Sequence, residues 1–164
     1  IFLQICSIQR NQFLQLDEFI PEFNLVDENG EWFSSESLSG KPTVILFYPM
    51  DFTPGCVTEA CTFRDNFDVF DQNGATVLGI SKDSPSRHKK FKQRYRLPFT
   101  LLSDLGGNVA KSFGVKTNLF GLMMGRETFV FDKNQRLISH FVIQLQVKRH
   151  VQEAIKAIQK SQMK

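Results

Sequence analysis

The stretch Phe47–Asp65, FYPMDFTPGCVTEACTFRD, constrains the fold more than any other part of the chain. The apolar run Val44-Ile45-Leu46-Phe47-Tyr48 reads as a buried strand, and Pro49 ends it. After a short loop, Thr53-Pro54-Gly55-Cys56 opens a segment with a helical pattern. Thr53 is placed to act as its N-cap, and Pro54 fixes φ at the first helical position. Cys56 then falls in the first turn of a helix that leaves the end of a strand. Unpaired backbone N–H groups and the positive end of the helix dipole favour a thiolate there.

The second cysteine, Cys61, lies five residues on, a C-x4-C spacing. Five residues of α-helix advance about 7.5 Å and turn roughly 140° from the starting direction. Cysteines whose Cα atoms are more than about 7 Å apart cannot be bridged without backbone movement. A Cys56–Cys61 bond therefore requires the helix to unwind locally. The spacing argues against a static structural disulfide and suits a pair that is reduced in one state and bonded in another.

Pro49, Thr53 and Cys56 together match P-x-x-x-T-x-x-C, and here the sequence resembles the peroxiredoxins, which reduce peroxides with a cysteine thiolate. The continuation GCVTEAC is similar to the peroxiredoxin Q (bacterioferritin-comigratory-protein) branch. The resemblance runs from about Phe19 to Ile158 and includes Tyr95–Asp104 and Gly125–Asp132. Two stretches depart from it. Phe141-Val142-Ile143-Gln144 is more apolar than the family's pattern, and the acidic, Phe-rich stretch before Asp27 matches loosely.

The resemblance implies a thiol peroxidase acting on hydrogen peroxide and small organic hydroperoxides, with antioxidant and redox-homeostatic roles. Cys56 would be the peroxidatic residue and Arg126 a fixed cation beside it. The Thr53 hydroxyl would meet the peroxide oxygens, and Pro49 would shield the sulfur. A sulfenic acid formed on Cys56 condenses with a thiol. The family pattern makes Cys61 the resolving cysteine of an intramolecular cycle, recycled by a thioredoxin-type dithiol. No metal and no organic cofactor is called for. The branch also implies a monomer, and Tyr95–Asp104 and Gly121–Arg126 look most like cyanobacterial and plastid members, pointing to a chloroplast or a bacterial cytoplasm.

Other readings stay open on the residues. Cys61 could be a buried apolar side chain, and Arg126 a surface partner of Glu127. Glu59 could tune Cys56, although complementing the helix dipole is the simpler role. His88, His140 and His150 show no metal-ligand spacing with the cysteines. As a class, the chain could also be a thiol–disulfide oxidoreductase, which x4 spacing disfavours, or a thiol-based peroxide sensor or redox-regulated binding protein without multiple turnover.

Charge is uneven although the net value is only +3. Residues 1–40 carry seven acids against Arg10 alone, and Lys82–Arg96 carries seven Lys or Arg against Asp83 alone. The basic block reads as a solvated helix face, with Phe91 and Tyr95 packing inward, rather than as a nucleic-acid site. Three cysteines are too few for a disulfide scaffold, and no run approaches the roughly 18 apolar residues of a membrane span.

Residues 1–16 read as a tail or targeting remnant, carrying Cys6 outside any motif, and 17–164 as one domain. In that domain a hairpin at Phe23–Ser34 turns at Asn29-Gly30, and a helical turn spans Ser35–Leu38. The Cys56 helix continues to Asn73-Gly74, followed by a strand at Thr76–Ser81 and a helix from Ser84-Pro85 to Tyr95. A strand at Phe99–Ser103 and a helix at Asn108–Phe113 come next. A second hairpin, Thr128–Phe131 with Leu137–Val142, precedes an amphipathic helix at Val147–Gln159. That order predicts an α/β fold with a central mixed sheet flanked by helices and an N-terminal hairpin. It matches the thioredoxin-like fold of the resembled family.

Overall fold

The computed structural model of the chain describes residues 13–118, 123–142 and 146–163. Cys6, most of the proposed tail, Gly121, Ile143 and Gln144 lie outside the described residues.

Alternation along the central strand dictates a two-sided core. In β3 (Thr43–Phe47) Val44 and Leu46 point to one face, Ile45 and Phe47 to the other, and all are buried. On the first face they meet Phe63, Phe70, Phe91, Val130, Val151 and Ile158, and on the second Leu78, Ile80, Phe113, Phe129 and Phe131. A strand apolar on both sides belongs at the middle of a sheet with both faces covered. β4 (Thr76–Ser81) and β5 (Thr100–Ser103) extend the sheet from β3 in parallel, and β1 (Asn24–Asp27) joins β5 antiparallel. β2 (Trp32–Ser34) closes the first hairpin on β1. On the other side of β3 lie antiparallel β8 (Glu127–Phe131) and β9 (Leu137–Phe141). The order is β2-β1-β5-β4-β3-β8-β9, a mixed sheet with helices on its faces. The short ribbon of β6 (Thr117–Asn118) and β7 (Met123–Met124) is absent from the sequence reading, since two-residue strands carry no periodic signal.

Helices follow their caps. α3 (Pro85–Tyr95) starts at Ser84, whose Oγ accepts from the Arg87 amide. α4 (Asn108–Phe113) ends at Gly114 with φ of +75°, a left-handed stop that glycine adopts without strain. α5 (Val147–Gln162) buries Val151, Ala154 and Ile158. One expectation is corrected. The long Cys56 helix is two helices, α1 (Pro54–Asp65) and α2 (Phe67–Gln72). Both the amide and the side-chain Nδ2 of Asn66 bond to the Thr62 carbonyl and end α1 there. An Asn that competes for the backbone breaks a helix through which the apolar pattern runs unbroken.

The basic block behaves as expected of a solvated face: Phe91 is buried, Tyr95 packs against the same cluster, and Lys92 pairs with Glu28. Among the described residues no helix is long and apolar enough to cross a membrane.

Candidate active site

Two chain segments reach the same end of the sheet. β3 runs out at Phe47 and hands over to the loop that precedes α1. The register Phe47↔Glu127 places Arg126 just before β8 at that same edge. Cys56, in the first turn of α1, is 2% exposed, and Arg126 is 6% exposed. The Arg126 Nη2 donates to Cys56 Sγ at 3.4 Å. Gly55 permits this approach, because a Cβ there would lie 2.9 Å from Nη2. The structure thus brings together Cys56 and Arg126, 70 residues apart in sequence. Arg126 does not pair with Glu127, which binds His140 Nε2 at 2.7 Å and accepts from the Lys116 amide.

Glu59 is the third member of this cluster, and its environment corrects the helix-dipole reading. It is 1% exposed and faces Arg126, with Nη1 to Oε1 at 3.4 Å. That contact is an ion pair without an aligned hydrogen bond: neither Glu59 oxygen has a hydrogen-bond partner among the described residues. Burial outweighs the attraction of Arg126 and raises the Glu59 carboxyl from its ordinary 4.5 to about 7. Arg126, also desolvated, is nevertheless held above its ordinary value by Glu59 and Cys56.

This carboxyl has a consequence for stability. Its folded-state pKa lies above the unfolded one, so the folded protein keeps a proton that the unfolded chain releases. Stability then falls as pH rises from 4.5 to about 7 and levels off above it. Glu59→Gln removes the titration. Between pH 5 and 8 the native protein is expected to lose about 2–3 kcal/mol of unfolding free energy relative to the variant, measured by denaturant titration. Parallel pH curves for the two proteins would contradict it.

The loop before α1 is anchored from behind by Asp51. Its Oδ1 accepts from the Tyr48 hydroxyl at 2.7 Å, and its Oδ2 meets His88 Nδ1 at 2.7 Å. Its amide donates to Asp83 Oδ2 at 2.8 Å, and its carbonyl accepts from Arg87 Nη2 at 3.1 Å. His88 Nε2 faces the Leu102 carbonyl, which can only accept, so that nitrogen carries a hydrogen. Burial, reinforced by the Asp51 charge, pushes the Tyr48 hydroxyl well above its ordinary value and keeps it a donor. Next in the chain, Phe52 sits at φ of +67° with the Arg87 guanidinium over its ring. A non-glycine residue in that region persists where its surroundings over-determine it, and Asp51 supplies the constraint.

Asp51, Asp83 and His88 each bring a ligand atom within 4.8 Å of the others, a grouping that could hold a metal ion. In sequence His88 has no metal-ligand spacing with the cysteines, and its partners here are aspartates. The donors are already committed within the protein: Arg87 Nε lies 2.9 Å from Asp83 Oδ1, and both ring nitrogens of His88 have partners. The set fits a resident guanidinium rather than a metal. Its sequence signal was the position of His88, three residues before Phe91 on the inward face of α3.

Thr53 occupies the N-cap position, but its side chain makes no cap bond; its hydroxyl donates to the Met50 carbonyl at 2.8 Å. Pro49 is half-buried on the same loop. Cys56 and Cys61 are free thiols on the one continuous helix α1, Cys61 partly exposed.

Known proteins resemble this chain over most of its length. The AhpC/TSA family pattern matches residues 16–140. A chloroplastic peroxiredoxin Q from Populus jackii is 47% identical over 139 residues, covering 85% of this chain and 65% of the relative. The chain thus spans just under two thirds of that protein's length. The chloroplastic peroxiredoxin Q of Sedum lineare is 48% identical, with 85% of this chain and 75% of the relative covered. The crystal structure of peroxidoxin BcpB from Mycobacterium tuberculosis superposes with a TM-score of 0.83 at 33% identity, covering 90% of this chain and 97% of that one. The expected thioredoxin-like α/β fold holds.

Proposed function

The chain belongs to the AhpC/TSA family, in its peroxiredoxin Q branch, and on that premise we propose that it is a thiol-dependent peroxidase with Cys56 as its nucleophile. The observation that carries the reading is the guanidinium of Arg126 on Cys56 Sγ, at the first turn of a helix and away from bulk water. A cation and a helix N-terminus both stabilise a thiolate, the form that attacks a peroxide O–O bond. Attack transfers one oxygen to sulfur, breaks the O–O bond and releases water or an alcohol once the departing oxygen takes a proton. Backbone N–H groups at Gly55 and Cys56 and the Arg126 fork are the donors for that oxygen. In the peroxide complex Thr53 turns its hydroxyl from the Met50 carbonyl toward the substrate, and Pro49 shields the sulfur.

The Cys56 sulfenic acid then condenses with Cys61. Because α1 is continuous between them, it must open at its first turns. Both sulfurs lie on one chain, so the cycle needs no second copy. A thioredoxin-type dithiol closes it by exchange. The chloroplastic relatives favour a plastid setting.

The test is peroxide-dependent NADPH oxidation through thioredoxin and its reductase. Sustained turnover is the expected result; a single stoichiometric oxidation would instead identify a sensor. Cys61→Ser is expected to permit one oxidation of Cys56 and to cut thioredoxin-dependent turnover at least about tenfold, because the sulfenic acid then waits for an external thiol. Unchanged turnover in that variant would show that another thiol resolves.

A further inference from the structure

The two ends of α1 are held unequally. At its start Thr53 gives no side-chain cap and Gly55 lies in the first turn. Among the described residues, the side-chain ties of this end beyond its own loop are Arg126's contacts with Cys56 and Glu59, and the latter lacks an aligned hydrogen bond. At the other end Phe63 is fully buried and Asn66 is clamped onto Thr62. Arg64 Nη1 donates to the Tyr95 carbonyl at 2.7 Å, bolting this end to the close of α3. The first turns are therefore the part free to open, and Cys61 stays on the fixed side.

Arg64 is also three residues beyond Cys61, a neighbouring position on the helix surface. Its Nε lies 3.0 Å from Asp65 Oδ1 and its Nη1 is on Tyr95, while its Nη2 has no hydrogen bond among the described residues. We propose that Arg64 is the positioning residue of the resolving step: it holds the Cys61 end of α1 in place and keeps a cation beside the attacking thiolate. The hydrogen bond to Asp65, joined by the charges of Cys61 and Asp65, holds Arg64 above its ordinary value against desolvation. In the step itself the Cys61 thiolate attacks the sulfur of the Cys56 sulfenic acid. The S–S bond forms, the S–O bond breaks, and the hydroxide that leaves takes a proton to become water.

This inference rests on the reading of Cys56 and Cys61 above, and the test separates the two. Reduced protein is mixed with one equivalent of hydrogen peroxide, quenched at intervals by thiol alkylation, and resolved by mass spectrometry into sulfenic acid, disulfide and sulfinic acid. For Arg64→Gln, Cys56 oxidation is expected to stay within about twofold of native and disulfide formation to slow about tenfold, with sulfinic acid accumulating instead. Arg64→Lys restores the charge without the fork and should recover to within about threefold. Asp65→Asn, a change at an exposed position, removes the competing anion and should accelerate disulfide formation, which keeps the inference testable if Arg64→Gln fails to fold. Native disulfide rates in Arg64→Gln, a Lys variant as slow as Gln, or no acceleration in Asp65→Asn would each overturn it. A native protein that oxidises Cys56 without ever joining it to Cys61 would overturn the underlying reading instead.

Discussion

Replacing Cys56 with Ser is expected to lower peroxide consumption by at least about 10³-fold while the fold survives. A serine hydroxyl is not ionised near neutrality, and neither Arg126 nor the helix N-terminus supplies enough stabilisation to ionise it. The site has no spare sulfur in place, since Cys61 lies further along the same helix and only partly exposed. The substitution keeps nearly the same volume in a site 2% exposed. Its structural cost is that of a buried hydroxyl, about 1–3 kcal/mol if unpaired. A thermal midpoint only a few degrees lower, together with loss of NADPH-coupled peroxide consumption, is the expected pair of results. Residual activity above a few per cent would show that Cys56 is not the nucleophile.

Arg126→Met should have the second largest effect, a fall in kcat/KM for hydrogen peroxide of about 10²-fold. The guanidinium touches Sγ at 3.4 Å and faces Glu59 at the same distance, so its removal deletes the cation beside the reacting sulfur. It also leaves Glu59 buried without a counter-charge. Breaking a buried pair by deleting one partner costs about 3–5 kcal/mol when the other stays charged. Glu59 escapes much of that penalty, because its carboxyl already titrates at about 7 and loses the one influence that lowered it. A large kinetic defect with a modest stability defect is therefore expected, in a variant that retains a proton on Glu59 to higher pH. Stopped-flow peroxide reduction and denaturant unfolding measure the two separately. Activity within threefold of native would mean that the contact is structural only.

The parts legible in the sequence were those whose causes are local. Pro49 after an apolar run, Thr53-Pro54 at a helix start and Gly114 after Phe113 each act on their own neighbours, and each sits where those rules place it. The break at Asn66 is also local, but it turns on which carbonyl a side chain chooses, and the apolar pattern runs straight through it. Glu59 was harder to read. Its burial depends on Arg126, which strand register alone brings beside it, and in sequence it is simply an acid near a helix start. The Asp51–His88 pair draws on three elements, and the inward placement of His88 becomes meaningful only once β3 and α3 are seen side by side. That Cys56 and Arg126 meet followed from family resemblance; the sheet supplies the physical reason, since the Phe47↔Glu127 register fixes where Arg126 emerges.

The most direct test of the central claim is a single-turnover experiment on the reduced native protein: one equivalent of hydrogen peroxide, a timed quench, and peptide mapping of every cysteine. The expected result is oxygen on Cys56 first and then a Cys56–Cys61 crosslinked peptide, with the protein mass lower by two hydrogens. A protein whose Cys56 stays reduced while peroxide is consumed, or whose Cys61 oxidises before it, would contradict the account.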